Sequence, residues 1–103
     1  MAKYLVSWRL RTGGTAQQNH DDTKKLLDTF AKWQMPADQT FLQFLARTDG
    51  QGGYAVVETD NPAGLNDAPT KFGTWLEFEL IPVLDILDNV TALAAGAEFR
   101  ESI

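Results

Sequence analysis

Apolar and polar residues alternate along two segments of the chain, a period of two that predicts β-strands with one face on a core. In residues 3–11 one row holds Tyr4, Val6, Trp8 and Leu10, and the other holds Lys3, Leu5, Ser7, Arg9 and Arg11. In residues 75–85 one row holds Leu76, Phe78, Leu80 and Leu84, and the other holds Trp75, Glu77, Glu79, Ile81 and Val83. The polar rows carry opposite charge, so we expect the two strands to lie side by side.

The chain between these strands predicts a helix followed by a β-hairpin. Thr15 and Gln18 fit a capping box at the start of the helix, and Pro36 ends it. The apolar stripe of this helix has helical spacing and holds Thr23, Leu26, Leu27, Phe30, Ala31 and Trp33 or Gln34. Residues 40–48 and 54–59 are expected to form the two strands of the hairpin, joined by a glycine-rich turn.

Two further helices are predicted around the last strand. A short one starts with Asn61 as its cap and Pro62 at its first position, and Pro69 is expected to break or kink it. Asp85 is expected to cap a final helix. The inward-facing stripe predicted for that helix holds Ile86, Leu87, Val90, Leu93, Ala94 and Ala97.

The order of these elements is β-α-β-β-α-β with a C-terminal helix, which predicts an α+β protein. Right-handed βαβ connections make a ferredoxin-like, four-stranded antiparallel sheet of order 4-1-3-2 the leading arrangement. That order places the first strand beside the fourth, as the charge pattern requires. With 103 residues, the whole chain, residues 1–103, is expected to form one domain.

In such a fold the helices cover one face of the sheet, so the other face needs a separate explanation. The residues predicted for this second face are Leu5, Ser7, Arg9, Phe41 or Gln43, Val57, Trp75, Glu77, Glu79 and Ile81. The set is too apolar to lie wholly in water and too charged for a dry core. Packing against a second copy resolves this conflict, so we expect a homodimer, a dimeric α+β barrel, that encloses a cavity.

Composition narrows the possible partners. The formal charge of −5 disfavours binding to nucleic acid or to an anionic membrane. The absence of cysteine excludes disulfides and thiolate chemistry. No segment resembles a signal peptide or a membrane span, so we expect a cytoplasmic protein.

Three groups of polar residues are candidates for chemistry. Arg9 with Glu77 and Glu79 is the strongest: one enclosed carboxylate could serve as a general base, and the alternative is a cross-strand ladder of ion pairs. Ser7, Arg9 and Trp75 are the predicted substrate-binding residues. His20, Asp21 and Asp22 fit a solvated, acidic helix start better than a metal site, so no metal or cofactor is expected. Arg47 and Glu58 are expected to pair across the hairpin.

Three segments, residues 3–10, 49–60 and 75–85, resemble a family of small bacterial proteins known as a domain of unknown function. The chain also resembles the dimeric α+β barrel superfamily in its order of elements and its length. That resemblance implies a homodimer with a site between sheet and helices or at the barrel mouth. The superfamily includes cofactor-independent monooxygenases, haem-degrading enzymes, lactone isomerases and binding proteins. The second-helix His of the haem-degrading members, and the His–Asp pair of another branch, are missing here.

The leading functional hypothesis is a small cytoplasmic homodimer that binds a small organic molecule in its barrel cavity. A cofactor-independent monooxygenase or isomerase is the first alternative, in which Arg9 orients an anionic substrate and Glu77 or Glu79 moves a proton. A protein-interaction module, in which Trp75 and the second face meet a different partner, is the other alternative.

Overall fold

A computed structural model describes all residues from Met1 to Ile103. The strands are β1 (Ala2–Leu10), β2 (Gln39–Ala46), β3 (Gly52–Thr59) and β4 (Leu76–Val83). The helices are α1 (Ala16–Lys32), α2 (Asp67–Phe72) and α3 (Ile86–Ser102), and a 3₁₀ helix (Pro62–Asn66) leads directly into α2. The four strands form one antiparallel sheet in the order β2-β3-β1-β4. This is the predicted ferredoxin-like α+β arrangement, and it is confirmed.

The pairing of β1 with β4 follows the charge pattern of the sequence. Arg9 lies opposite Glu77, and Ser7 lies opposite Glu79. On the other face of the same pair, Trp8 lies opposite Phe78. The predicted neighbours and their antiparallel direction are therefore both confirmed.

The core lies on the helix-bearing face of the sheet. Val6, Ala55 and Val57 are buried there, together with Leu65 from the 3₁₀ helix. The prediction that Val57 lies on the second face is wrong: it is opposite Tyr4 in β1 and Phe41 in β2, and only 1% of it is exposed. Both rows of β3 contain valine, so alternation alone does not say which row faces the helices.

A bulge in β2 decides whether Phe41 or Gln43 lies on the second face. The register shifts between Phe41 and Gln43, so that Phe41 and Phe44 pair with β3 residues of the helix-bearing face. Gln43 pairs with Val56 and lies on the second face. Of the two residues predicted for that position, the structure therefore selects Gln43.

The start of α1 is stabilised as the sequence predicts. The amide of Gln18 donates to Thr15 Oγ1 at 3.1 Å, and the amide of Thr15 donates to Gln18 Oε1 at 2.8 Å. This reciprocal pair is a capping box, which satisfies two N–H groups that the helix cannot pair itself. The helix ends at Lys32, before Pro36.

Around α2, one local prediction is wrong and another is confirmed in position only. Pro69 does not break the helix, because it lies in the first turn of α2, where the missing N–H would have no helical partner. Asn61 stands at the cap position before Pro62, as predicted, but its side chain makes no cap hydrogen bond. Its Nδ2 instead donates to Asp38 Oδ2 at 3.0 Å and ties the 3₁₀ helix to the loop before β2.

The predicted inward packing of α3 is also wrong. Its large apolar side chains, including Leu87 and Leu93, are exposed, and no residue of α3 is buried. Asp85 stands at the cap position without a side-chain cap bond, because its carboxylate accepts from Lys3 Nζ at 2.7 Å. The chain measures 62 Å along its longest axis, and its radius of gyration is 18.0 Å, against about 13 Å for a compact chain of this length. α3 therefore extends away from the sheet. No helix has the length and apolarity needed to cross a membrane.

Close packing of β3 on its neighbours gives a test of the fold. A Cβ at Gly53 would overlap the carbonyl oxygen of Leu45 and the indole of Trp8, whereas a Cβ at Gly13 would meet nothing. We expect Gly53→Ala to lower the free energy of unfolding by about 1–3 kcal/mol, the usual range for overpacking. Gly13→Ala is the matched control and should change it by less than about 1 kcal/mol. Urea unfolding followed by circular dichroism measures both, and equal effects would contradict this packing.

Candidate functional site

An apolar cavity lies between α1 and the sheet. Its volume is about 550 Å³, and 18 of its 22 lining residues are hydrophobic. Sites for small organic molecules commonly occupy about 300–1,000 Å³ and are lined mainly by apolar and aromatic side chains. In size and composition the cavity has the properties of a ligand site.

The cavity forms because small and large residues face each other across this layer. Ala55 of β3 is a small residue on the face beneath α1, while Leu26, Leu27 and Phe30 project from the helix toward the sheet. Leu27 is 61% exposed and Phe30 is 48% exposed, so the helix does not close on the strands. A tightly packed layer would bury both side chains, and the gap between helix and sheet is the cavity.

Six aromatic side chains form a connected cluster around the cavity: Trp8, Phe30, Trp33, Phe41, Phe44 and Phe72. Trp33 and Phe72 meet edge to face at 5.4 Å between ring centroids, and Phe41 and Phe44 lie 5.3 Å apart. These separations are typical of favourable aromatic pairs. The cavity therefore offers ring edges and faces to a ligand.

Polar groups are few in the cavity, and two of them donate to backbone carbonyl oxygens. Thr23 Oγ1 donates to the carbonyl oxygen of Asn19 at 2.9 Å, and Gln39 Nε2 donates to the carbonyl oxygen of Gly64 at 2.8 Å. The other two non-hydrophobic lining residues are Gly50 and Gly52. No charged side chain lines the cavity, so it is suited to a mainly apolar molecule.

A hydrogen-bonded chain holds one end of the cavity together. Trp33 Nε1 donates to Asp67 Oδ2 at 2.9 Å, and Lys71 Nζ lies 2.7 Å from Asp67 Oδ1. The hydrogen bond from Lys71 and then that from Trp33 lower the pKa of Asp67 below its ordinary value. Through this carboxylate, the end of α1 is fixed to α2.

The site residues predicted from the sequence lie on the opposite face of the sheet. Ser7, Arg9, Glu77 and Glu79 project from the second face, and none of them lines the apolar cavity. Trp75 directly precedes β4, is half-buried, and its carbonyl oxygen accepts from the amide of Arg11 at 2.8 Å. These five residues therefore belong to a separate region.

The predicted group of Arg9, Glu77 and Glu79 is only partly assembled. Glu77 pairs with Arg11 at 3.4 Å rather than with Arg9, and both side chains are at least half exposed, so the pair contributes little to stability. A polar cleft of about 440 Å³ brings Arg9, Arg11 and Glu77 together at the ends of β1 and β4. Glu79 does not line it.

The structure also describes two other groups considered in the sequence, Arg47 with Glu58 and the residues around His20. Arg47 pairs with Asp49 in the hairpin turn, so the predicted pair of Arg47 with Glu58 is wrong. The hairpin turn favours the pair of Arg47 with Asp49, which is two residues away, because Asp49 also accepts from the amide of Gln51 at 2.9 Å. Around His20, no group of three His, Cys, Asp or Glu side chains is close enough to hold a metal ion.

The residue pattern by itself did not predict the cavity, although it identified most of the cavity's walls and the resemblance implied a site between sheet and helices. The apolar row of β1 and the stripe of α1 were both visible as core positions. Alternation shows which side chains face each other, but it does not show how far apart the layers stand. The sequence feature that could have indicated the cavity was the pairing of small residues in β3 with bulky aromatic residues on the neighbouring strands.

Comparison with known families agrees with this architecture. Residues 2–97 match a family described as a domain of unknown function, DUF3303. The chain belongs to the DUF3303 family. No curated protein matches the sequence. The family membership accounts for nearly the whole chain, so the sheet, α1 and most of α3 are parts of the family's domain.

The role of Asp67 can be tested through the pH dependence of stability. Its folded-state pKa is lowered, so its contribution is present above the unfolded pKa of about 3.9 and is lost as pH falls through the folded value. At pH 7 we expect Asp67→Asn to lower the free energy of unfolding by about 1–2 kcal/mol. The difference from the unmodified chain should shrink toward zero as pH is taken well below 4.

Urea titrations between pH 2.5 and pH 7, a range that spans the unfolded pKa of about 3.9, measure this difference. Asp22→Asn on the exposed side of α1 is the matched control, because it removes the same charge. A constant deficit for Asp67→Asn at every pH would contradict an ionised, hydrogen-bonded Asp67.

Proposed function

We propose that this DUF3303 chain binds a small, mainly apolar organic molecule with at least one aromatic ring, in the cavity between α1 and the sheet. The observation that carries the proposal is the 550 Å³ apolar cavity. Its lining includes apolar side chains that stay exposed to water, such as Leu27 and Phe30, and this exposure is unfavourable. A bound apolar ligand removes this surface from water.

The chemistry of the walls defines the class of ligand. The aromatic cluster favours a flat ring, which gains from edge and face contacts with Trp33, Phe41 and Phe72. The lining has no charged side chain and few polar groups, which disfavours a polyhydroxylated or strongly ionic ligand. Binding without catalysis is sufficient to account for this cavity.

A blocking substitution tests the cavity directly. Thr23 lines the cavity from α1, and Lys24 lies next to it on the exposed side of the helix. We expect the chain to bind N-phenyl-1-naphthylamine, a neutral aromatic probe, with an increase in probe fluorescence. Thr23→Trp should weaken that binding at least tenfold by filling the space, whereas Lys24→Trp should leave it unchanged.

Fluorescence titration gives both affinities, and circular dichroism shows that both variants are folded. Equal binding by the two variants would contradict the proposed site. Failure of the unmodified chain to bind this probe or a panel of similar neutral aromatic molecules would contradict ligand binding in the cavity.

We also propose that the second face mediates a homodimer. On this face Leu45, Tyr54 and Ile81 are more than 40% exposed beside Arg9, Glu77 and Glu79. Such a mixture is better satisfied by a twofold-related copy, which can bury the apolar groups and pair the charges. We propose that this homodimer is cytoplasmic and that its two copies enclose a second binding region. The residues of that region are Ser7, Arg9, Trp75, Glu77 and Glu79.

An enzymatic role of that region depends on the same enclosure. The polar cleft with Arg9, Arg11 and Glu77 favours recognition of an anionic group. In a cofactor-independent monooxygenase or isomerase, Arg9 would orient the substrate and Glu77 or Glu79 would move a proton. Glu77 and Glu79 are exposed in the single chain, so this role requires the second copy to exclude water from the carboxylates.

The proposed interface makes a prediction about self-association. Ile81 lies on the second face next to Leu5 of β1. Ile81→Lys places a charge in the apolar part of the proposed interface, and we expect it to raise the dimer dissociation constant at least tenfold. Thr74→Lys, an exposed change outside the strands, is the control and should leave the constant unchanged.

Light scattering after size-exclusion chromatography measures the mass, which is 11.4 kDa for one chain. A monomer at micromolar concentration would contradict the homodimer. Recovery of a stable complex with a different protein in place of the dimer would favour the interaction-module alternative.

A further inference from the structure

α3 is the least covered part of the chain. Its five large apolar side chains are between 51% and 75% exposed: Ile86, Leu87, Val90, Leu93 and Phe99. Ile86, Val90 and Leu93 share one face of the helix, with Leu87 at its border, while Phe99 lies on another side. A helix that is apolar on several sides is normally enclosed by other elements. The single chain supplies none of them.

One side of α3 exposes more than half of the area that a stable interface buries. Ile86, Leu87, Val90 and Leu93, with the adjacent Leu84, expose on the order of 500 Å² when each fully exposed side chain counts for ~150 Å². Soluble monomers rarely leave more than a few hundred Å² in one apolar patch. Stable protein interfaces bury about 800 Å² on each partner. The segment from Leu84 to Leu93 therefore carries more than half of what a dimer requires.

The same chain has an apolar strip that lacks a covering helix. On the helix-bearing face, Leu80 of β4 lies opposite Val6 of β1, and Pro82 lies opposite Tyr4. Leu80 is 38% exposed and Pro82 is exposed. The six-residue α2 ends at Phe72, near the start of β4, and does not extend over this strip. A ferredoxin-like sheet needs a second long helix to cover this part of the face.

α3 does not cover that strip in its own chain. Asp85 has extended backbone, and its carboxylate is held by Lys3, so the helix starts as a continuation of β4. The eight-residue β4 spans about 27 Å and the 17-residue α3 about 25 Å. These lengths approach the observed 62 Å only when the two elements lie nearly end to end.

We propose that α3 is an exchanged arm: it docks on a second copy of the chain and covers the strip of Tyr4, Leu80 and Pro82 there. The twofold-related copy returns its own α3, so each sheet gains the missing helix. Each copy then buries both its arm and its strip, which raises the area per copy to the level of a stable interface. This inference rests on the homodimer proposed above and adds a contact separate from the second face.

Cross-linking between differently labelled copies tests the exchange, and the chain suits it because it contains no cysteine. One full-length preparation carries Leu80→Cys and the other carries Leu93→Cys. After mixing, a short bismaleimide should link the two positions, with mass spectrometry of the joined peptides identifying the pair. Lys24→Cys, on the exposed side of α1, replaces Leu93→Cys in the control and should give at least tenfold less product.

A pair of charge-matched variants provides an independent measurement. Leu93→Glu places a carboxylate on the docking face, and Thr91→Glu places the same charge on a polar part of the helix. We expect Leu93→Glu to raise the dimer dissociation constant at least tenfold and Thr91→Glu to leave it nearly unchanged. Circular dichroism must show the same helix content in both variants.

The outcomes separate the arm from the functions proposed above. In one outcome, Ile81→Lys weakens the dimer, but residues 80 and 93 are not linked and Leu93→Glu leaves the dissociation constant unchanged. That outcome would overturn the exchanged arm and leave the second-face dimer intact. A monomeric chain would overturn both. Binding of the neutral aromatic probe tests the cavity independently of either result.

Discussion

The position of β1 between β3 and β4 is the constraint on which the rest of the structure depends. Because it pairs with both neighbours, its alternation assigns every side chain of three strands to one of two faces. Val6 and Trp8 direct one row toward the helices, and Ser7 and Arg9 direct the other away from them. A slip by one residue would exchange the two faces, burying the charges of β4 and exposing its aromatic residue Phe78.

The two faces of the sheet are packed in different ways. On the helix-bearing face, small residues of β3 meet large aromatic rings, and the mismatch in volume leaves a cavity under α1. Trp33, Asp67 and Lys71 hold the far end of that helix through hydrogen bonds, so the layer stays in place without close packing. On the second face, the charges are exposed and weakly paired, which leaves the apolar residues between them available for contact.

A single copy of the chain leaves two apolar surfaces exposed, α3 and the strip around Leu80, and the two exposures have related causes. α2 is too short to cover the end of β4, and α3 continues outward instead of folding back. The apolar residues of α3 and the strip around Leu80 are therefore exposed in one chain, while each has the composition of a buried surface. Self-association would satisfy both surfaces with the same set of contacts.

Much of the fold was determined by local sequence. Alternation identified β1 and β4 and predicted that they are neighbours, the capping box of Thr15 and Gln18 fixed the start of α1, and the order of elements indicated the ferredoxin-like sheet. Each signal acts over a few residues or depends on the complementary charge of two segments. The predicted bounds of β2 differ by one residue at its start and two at its end, where Arg47 already belongs to the turn and its carbonyl oxygen accepts from the amide of Gly50 at 3.0 Å.

Other features were decided only by the tertiary structure. The face on which Val57 lies depends on long-range pairing, since both rows of β3 are apolar. Whether Pro69 breaks a helix depends on where that helix begins, and whether α3 packs inward depends on the direction in which the chain leaves β4. The cavity depends on the distance between α1 and the sheet. The sequence alone therefore determined which residues are apolar and in what periodicity, while the separation of layers and the direction of the last helix were set by contacts between distant segments.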